Sequence, residues 1–280
     1  MVDTPSDRYT HGHHASVVGQ HARRTAEREA AYLLPHLRPG MRLLDVGCGP
    51  GTITTGLARA VAPAEVVGVD LVPDVIESAR AHLTETELAN VRFDTASVYE
   101  LPFADAEFDV VHAHQVLQHL ARPVVAASEA YRVLRPGGLF GVRDADYATM
   151  QAWPRLPEID RWREVYHAVA TRNGADSDAG RRLPAWLRKA GFRDLQVSAT
   201  TTLFTEADGV RNWGYSWAER ITQSSLAEQA VEYGIATRLE LEEISAGWRK
   251  WADSADAFFM YVNVEVVGVK QALIPPSQDS

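Results

Sequence analysis

Cysteine is almost absent from this chain of 280 residues, which contains only Cys48. One thiol cannot form an internal disulfide, so the composition indicates a reducing compartment, and we expect a cytoplasmic location. Basic residues are also scarce, because 28 Lys and Arg stand against 37 Asp and Glu, for a net charge of -9. Nucleic acid is therefore not an expected partner, since phosphate backbones are bound by clustered cations.

Long apolar runs are missing as well. The longest, residues 257–269, is interrupted by Asn263 and Glu265, and the N-terminus lacks the apolar core of a signal peptide. A membrane is therefore not an expected partner. Hydrophobic residues nevertheless make up 46% of the chain, which is enough for one domain with insertions or with a cap.

Three glycines at alternate positions, Gly47, Gly49 and Gly51, follow a short apolar run in the stretch LLDVGCGPGTIT, residues 43–54. The pattern predicts a buried strand, a tight turn and a helix from about residue 52 to 62. Such a turn brings backbone N–H groups close to a ligand, which is typical of a nucleotide site. The Lys-Ser/Thr ending of a triphosphate-binding loop is missing, which excludes a loop of that kind.

Two carboxylates narrow the choice of ligand. Asp45 lies inside the first strand end, where it would repel a pyrophosphate but suit a ligand with an ammonium and a sulfonium group. Asp70 ends the next predicted strand, where an acidic residue accepts hydrogen bonds from ribose hydroxyls. Together they indicate S-adenosylmethionine. The alternatives are an NAD(P)-dependent oxidoreductase, which the glycine spacing disfavours, and a non-catalytic cofactor-binding regulatory module.

Predicted strands alternate with helices along the first half of the chain, which indicates an α/β fold with a parallel sheet covered on both faces. Ligands of such sheets bind beyond the carboxyl ends of the strands. That edge is predicted to carry Asp45, Asp70, Ser97, residues 112–115 and residues 144–147, the fifth strand ending near Asp146.

Three stretches, residues 43–54, 101–120 and 132–138 (RVLRPGG), resemble the motifs of class I S-adenosylmethionine-dependent methyltransferases, in particular the ubiquinone and menaquinone methyltransferases. The resemblance implies a Rossmann-like fold with a seven-stranded, mostly parallel sheet whose last strand is antiparallel. It divides the chain into an N-terminal helical lid (1–37), a cofactor-binding half (38–147), a remainder (148–270) with substrate-capping insertions at about 148–179 and 206–256, and a disordered tail (271–280). The oligomeric state stays open, with a homodimer as one option.

The resemblance also implies which residues contact the cofactor: Asp45, Gly47, Cys48, Gly49, Asp70 and Leu71, with Ser97 and Val98 near the adenine and His114 and Gln115 near the methionine moiety or the acceptor. Ser97 departs from the family, which usually carries an aspartate there to accept the adenine amino hydrogen. A weaker hydroxyl contact is expected instead.

Methyl transfer from a sulfonium is an in-line displacement that needs no metal, and it needs a base only if the acceptor keeps its proton. The candidate acid–base residues are His14, Asp144, Asp146 and Tyr147. Substrate contacts are expected from His13, Arg181, Trp213 and Trp217. All seven tryptophans lie in the C-terminal half, either as the core of the insertions or around a pocket for a small planar aromatic metabolite, such as an indole, a phenol or a quinone-like ring of a specialised pathway.

Overall fold

The computed structural model describes residues 24–84, 86 and 88–271. Most of the predicted lid therefore lies outside the described residues, including His13 and His14, as do residues 272–280 of the predicted tail. From the predicted lid segment the structure describes a short helix α1 (Ala26–Glu29) and a 3-10 helix over Leu34–His36. Ala26, Ala30 and Leu33 of this segment are buried against the sheet domain.

Seven strands form one sheet. They are β1 (Leu43–Val46), β2 (Val66–Asp70), β3 (Val91–Thr95), β4 (Phe108–His114), β5 (Leu134–Trp153), β6 (Arg193–Phe204) and β7 (Phe258–Val269). The order in the sheet is β3-β2-β1-β4-β5-β7-β6. Neighbours are parallel up to β5, and β7 is antiparallel to both β5 and β6. The Rossmann-like fold with an antiparallel last strand is confirmed.

The helices fall into two groups. Those that connect strands along the sheet are α2 (Thr52–Val61), α3 (Pro73–Thr84), α4 (Pro123–Val133) and, before β6, α6 (Leu183–Lys189). Those in the two long insertions are α5 (Pro157–Arg172), α7 (Ala207–Gln223), α8 (Ser225–Glu232) and α9 (Arg238–Ala252). We call the second group the capping helices, after the role predicted for the two insertions. Their buried faces, together with residues from the ends of β5 and β7 such as Met150 and Phe259, form a hydrophobic core distinct from the two on either side of the rest of the sheet.

Strand β5 is longer than the sequence predicts. It was expected to end near Asp146, but after a register shift between Asp146 and Gln151 it continues to Trp153, opposite Phe258 of β7. The extension forms because β7 is itself 12 residues long and offers pairing groups beyond the predicted end. The first helical insertion therefore begins only at Pro157.

The tryptophans of the capping helices are packed against one another. The ring of Trp162 lies 4.5 Å from that of Trp217 and 5.0 Å from that of Trp248, each in an edge-on arrangement. Trp217 is completely buried. The prediction that Trp217 contacts substrate is therefore corrected: its ring fills the core of the cap because aromatic surface of that size is the main source of burial there. Trp213, 7% exposed, stacks on Phe204 at 4.5 Å at the margin of the same core.

Candidate functional site

A cavity of about 530 Å³ lies at the carboxyl ends of β1, β2 and β4. All ten residues predicted to contact the cofactor line it: Asp45, Gly47, Cys48, Gly49, Asp70, Leu71, Ser97, Val98, His114 and Gln115. The fold brings them together because parallel strands present their ends at one edge of the sheet. The lining also includes Arg24, Tyr99 and His119, which the sequence reasoning did not single out.

The turn after β1 requires its three alternate glycines. Gly47, Gly49 and Gly51 have φ angles of +67°, +55° and +79°, a conformation that side chains disfavour. Space is also limiting, because a Cβ atom on Gly47 would lie 2.4 Å from Val116, and one on Gly51 would lie 2.5 Å from the Phe93 ring. The glycines therefore allow the turn to fold tightly between β2 and the wall formed after β4.

The backbone amides of this turn are already used within the protein. Gly47 and Cys48 both donate to the Val69 carbonyl, at 2.7 and 3.0 Å, Gly51 donates to the Cys48 carbonyl, and Pro50 has no N–H. Gly49 donates to the Asp70 carboxylate at 3.2 Å. The prediction that the glycines present N–H groups to a ligand is therefore wrong for residues 47–51. A pyrophosphate would find no amide cradle here, in contrast to a dinucleotide or phosphate loop.

Asp45 is held from two sides at the floor of the cavity. Its Oδ1 lies 2.7 Å from Nδ1 of His112 on β4, and its Oδ2 accepts a hydrogen bond of 2.5 Å from the Thr54 hydroxyl on α2. The contact with His112 follows from the sheet register, which places the two residues side by side in parallel strands. These two partners hold the carboxylate in a fixed position. It contributes negative charge to the cavity although only 2% of the residue is exposed.

Asp70 occupies the end of β2 and shapes the next part of the cavity. Its two oxygens accept hydrogen bonds from the backbone N–H groups of Gly49 and Val72, both at 3.2 Å. These contacts hold the carboxylate where the glycine turn and the start of α3 meet. A carboxylate at the end of the second strand of such a fold is the group that accepts hydrogen bonds from ribose hydroxyls.

Electrostatics favour a cationic ligand at the turn. Burial raises the pKa of the Cys48 thiol well above its usual value, and the charges of Asp45 and Asp70 raise it further. Cys48 is therefore a neutral thiol that fits the turn through its size. The same negative field that disfavours a thiolate stabilises an ammonium or sulfonium group.

The two remaining walls come from the loops after β3 and β4. In the first, the Ser97 hydroxyl accepts the N–H of Tyr99 at 3.2 Å, so its oxygen also stabilises the loop. In the second, Gln115 adopts a φ of +53° and accepts a hydrogen bond from Arg24. Burial, together with Arg24, lowers the pKa of His119 to about 3, so this imidazole is neutral at pH 7. His119 could have been predicted as a site residue, because it lies in the motif over residues 101–120.

The predicted acid–base residues of β5 occupy packed positions. Asp146, 3% exposed, forms a bidentate ion pair with Arg181 at 2.6 and 2.7 Å. Asp144 is fully buried, and among the described residues its carboxylate has no hydrogen-bond partner of standard geometry. Burial raises its pKa well above the usual value, against the opposing effect of the nearby N–H groups of residues 116–118. Tyr147 stacks on Tyr166 at 4.8 Å. These three residues and Arg181 are not among the described residues that line the cavity.

Other classes of site find little support in the described ranges, 24–84, 86 and 88–271. Within them the structure contains no cluster of three or more His, Cys, Asp or Glu side chains that could hold a metal ion. Within the same ranges, no helix is long and apolar enough to cross a membrane.

Fold and cavity together define a class I S-adenosylmethionine-dependent methyltransferase. The model of the methyltransferase domain family matches residues 37–206, and the chain belongs to this family. Three similar proteins are an uncharacterised methyltransferase of Schizosaccharomyces pombe (32% identical over 92% of this chain and 96% of that protein), the probable methyltransferase ltbC of Aspergillus luteorubrus (29%, 95% and 98%) and the O-methyltransferase cnsE of Penicillium expansum (30%, 70% and 70%). The crystal structure of YcgJ from Bacillus subtilis shares the fold, with a TM-score of 0.58 and 18% identity over 88% of this chain and 99% of its own.

Proposed function

We propose that this methyltransferase transfers the methyl group of S-adenosylmethionine to a small, planar aromatic metabolite of a specialised pathway, such as an indole, a phenol or a quinone-like ring. The composition of the cavity carries the proposal. Among the described residues that line it, Arg24 is the one Lys or Arg, and Val116 and Leu120, which are not among the predicted cofactor contacts, contribute apolar surface. Such a lining suits a weakly charged ring better than a phosphorylated or polymeric acceptor.

The relatives support transfer to an oxygen atom. The similar protein from Penicillium expansum is named an O-methyltransferase, and the chain is 30% identical to it. A phenol hydroxyl keeps its proton at pH 7, so this choice of acceptor requires a group that removes the proton during or after transfer.

His14 is the base that we propose for this step. Asp146 is engaged by Arg181, Asp144 is fully buried and is not among the described residues that line the cavity, and Tyr147 is packed on Tyr166. These environments argue against any of the three β5 residues as the base. His14, in contrast, belongs to the N-terminal segment that the family uses as a lid. Arg181 then acts as the ionic partner of Asp146, and His13 remains the proposed substrate contact of the segment.

The experiment is a turnover assay that detects S-adenosylhomocysteine with a panel of indoles, phenols and quinols, followed by location of the methyl group in the product. A phenolic acceptor that yields a methyl ether is the expected result. Turnover of a protein or nucleic acid, with none of the small aromatics accepted, would contradict the proposed substrate class.

The base assignment is tested separately on the accepted substrate. His14→Ala should lower turnover by about 10²-fold while S-adenosylhomocysteine binding is retained, as expected for loss of general base catalysis. His21→Ala is the matched control from the same segment, and Asp146→Asn and Tyr147→Phe test the alternatives. An unchanged rate for His14→Ala would exclude it as the base.

A further inference from the structure

Strand β6 forms one edge of the sheet. Within the part of the chain that the structure describes, it pairs with β7 alone, through the register from Arg193 to Phe204. Its opposite side therefore presents backbone N–H and C=O groups that can accept another strand. At 12 residues it is also about twice the usual length of a strand.

The usual protection of an edge strand is absent over most of β6. Residues 195–204, LQVSATTTLF, contain no charged residue, no proline and no glycine. Natural edges are commonly interrupted by charges, prolines or bulges, and here such features occur only at the beginning, where the pairing shifts between Arg193 and Gln196. Two large apolar side chains of the strand are half exposed, Val197 at 52% and Leu203 at 48%.

We propose that a second copy of this chain pairs with this edge, β6 against β6 in antiparallel orientation, so that the two sheets become continuous across a two-fold axis. The two exposed apolar residues, Val197 and Leu203, favour a copy of this chain as the occupant, because a two-fold axis between them places each opposite the other. The net charge of -9 opposes association over most of the surface, and the uncharged edge is where two copies can meet without opposing like charges. A two-fold interface also requires a self-complementary surface, which an antiparallel strand provides.

The sequence of β6 selects one register. A two-fold axis at Thr200 places Val197 opposite Leu203 of the partner subunit, and this apolar pair then occurs twice. Side chains directly opposite in an antiparallel pair have Cβ atoms about 4.5–5.5 Å apart, so both exposed apolar residues become covered. Val197 and Leu203 are six residues apart and lie on the same face of the strand. Ser198 and Thr200 point to the other face, where both hydrogen-bond Glu265, at 2.7 and 2.6 Å.

The first test is the mass of the purified full chain at micromolar concentrations, measured by light scattering during gel filtration. The wild type should have twice the chain mass. The double substitution Val197→Lys with Leu203→Lys should give a monomer, because it places like charges directly opposite at both apolar pairs. Leu239→Lys is the matched control, since Leu239 is 71% exposed and belongs to α9 and not to the edge strand. A retained thermal shift with S-adenosylhomocysteine verifies that each variant is folded.

The second test is a disulfide that forms only in the proposed register. In a chain carrying Val197→Cys and Leu203→Cys, the two thiols are about 20 Å apart along one strand and cannot bridge within the chain. Oxidation should therefore give a covalent dimer through two bridges between copies. Val197→Cys alone is the control and should give no covalent dimer, because position 197 does not face itself in this register. Cys48 is present in both variants and therefore does not account for a difference between them.

Either of two results would overturn the proposal: a wild-type chain that is monomeric throughout the concentration range, or a dimer that persists in the double lysine variant. The second result would place the dimer interface elsewhere. A monomer that binds a different protein through β6 would likewise replace the second copy as the occupant.

Discussion

Nδ1 of His112 lies 2.7 Å from Oδ1 of Asp45, and both side chains are buried in the middle of the sheet. The two residues come from neighbouring parallel strands, and Thr54 completes the arrangement from α2. The floor of the cofactor cavity is therefore a hydrogen-bonded carboxylate that connects β1, β4 and the helix after the glycine turn. Its position depends on partners that are far from it in sequence.

Thr54→Val should destabilise the protein by about 1–3 kcal/mol, because the valine keeps the shape of the side chain but leaves one oxygen of a buried carboxylate without its donor. The free energy of unfolding in urea measures the loss. Thr54→Ser retains the hydroxyl and is the control. Because Thr54→Ser keeps this hydrogen bond, a loss in the serine variant as large as in the valine variant would mean that the hydrogen bond is not what stabilises the protein at this position.

Asp70→Ala should weaken S-adenosylhomocysteine binding by at least about tenfold, since a charged acceptor contributes about 1.5–3 kcal/mol per hydrogen bond. Titration calorimetry provides the affinity. Glu77→Ala, an exposed position on α3 that is not part of the cavity lining, should bind like the wild type. If Asp70→Ala binds equally well, Asp70 does not contact the ribose.

Much of this cavity could be predicted from the sequence because the determinants are local. The glycines are separated by single residues, and Asp45 and Asp70 each end a recognisable strand. The contact between Asp45 and His112 could not be predicted, because it depends on the register of β1 against β4. The burial of Trp217 in the core could not be predicted either, since an aromatic residue suits a helical core and a pocket wall equally well. Only the packing of α5, α7 and α9 around it decides between them.

Asp144→Asn should become more stabilising, relative to the wild type, as the pH rises. Burial raises the pKa of this carboxyl in the folded protein, whereas in the unfolded chain it ionises near about pH 4. Its contribution to stability is therefore fully present below that pH and is lost as the pH rises through the folded-state pKa. The asparagine stays neutral and avoids this loss.

Urea unfolding of the wild type and of Asp144→Asn, at several pH values from about 4 to about 8, measures the difference between their free energies of unfolding. Asp74→Asn, at an exposed position on α3, is measured alongside as the control for the substitution of an aspartate by an asparagine. A constant difference between Asp144→Asn and the wild type would argue against a protonated Asp144 in the folded state.

Trp217→Ala should lower the free energy of unfolding by about 3–5 kcal/mol, the usual cost of removing a large aromatic side chain from a core. Because Trp217 is packed inside the capping helices, the folded fraction should bind S-adenosylhomocysteine with unchanged affinity. Trp153→Ala is the control, since that side chain is 62% exposed. A variant of normal stability that fails only in turnover would return Trp217 to the substrate site.

The clustering of tryptophans in the capping helices also determines which part of the protein its intrinsic fluorescence monitors. Residues 38–147 contain no tryptophan, whereas Trp162, Trp213, Trp217 and Trp248 have neighbouring rings 4.5–6.3 Å apart, close enough to exchange excitation energy. Intrinsic fluorescence is therefore dominated by the cap, and circular dichroism by the whole chain. Opening of the cap with the sheet still intact would be recorded as a change in emission colour without a matching change in ellipticity.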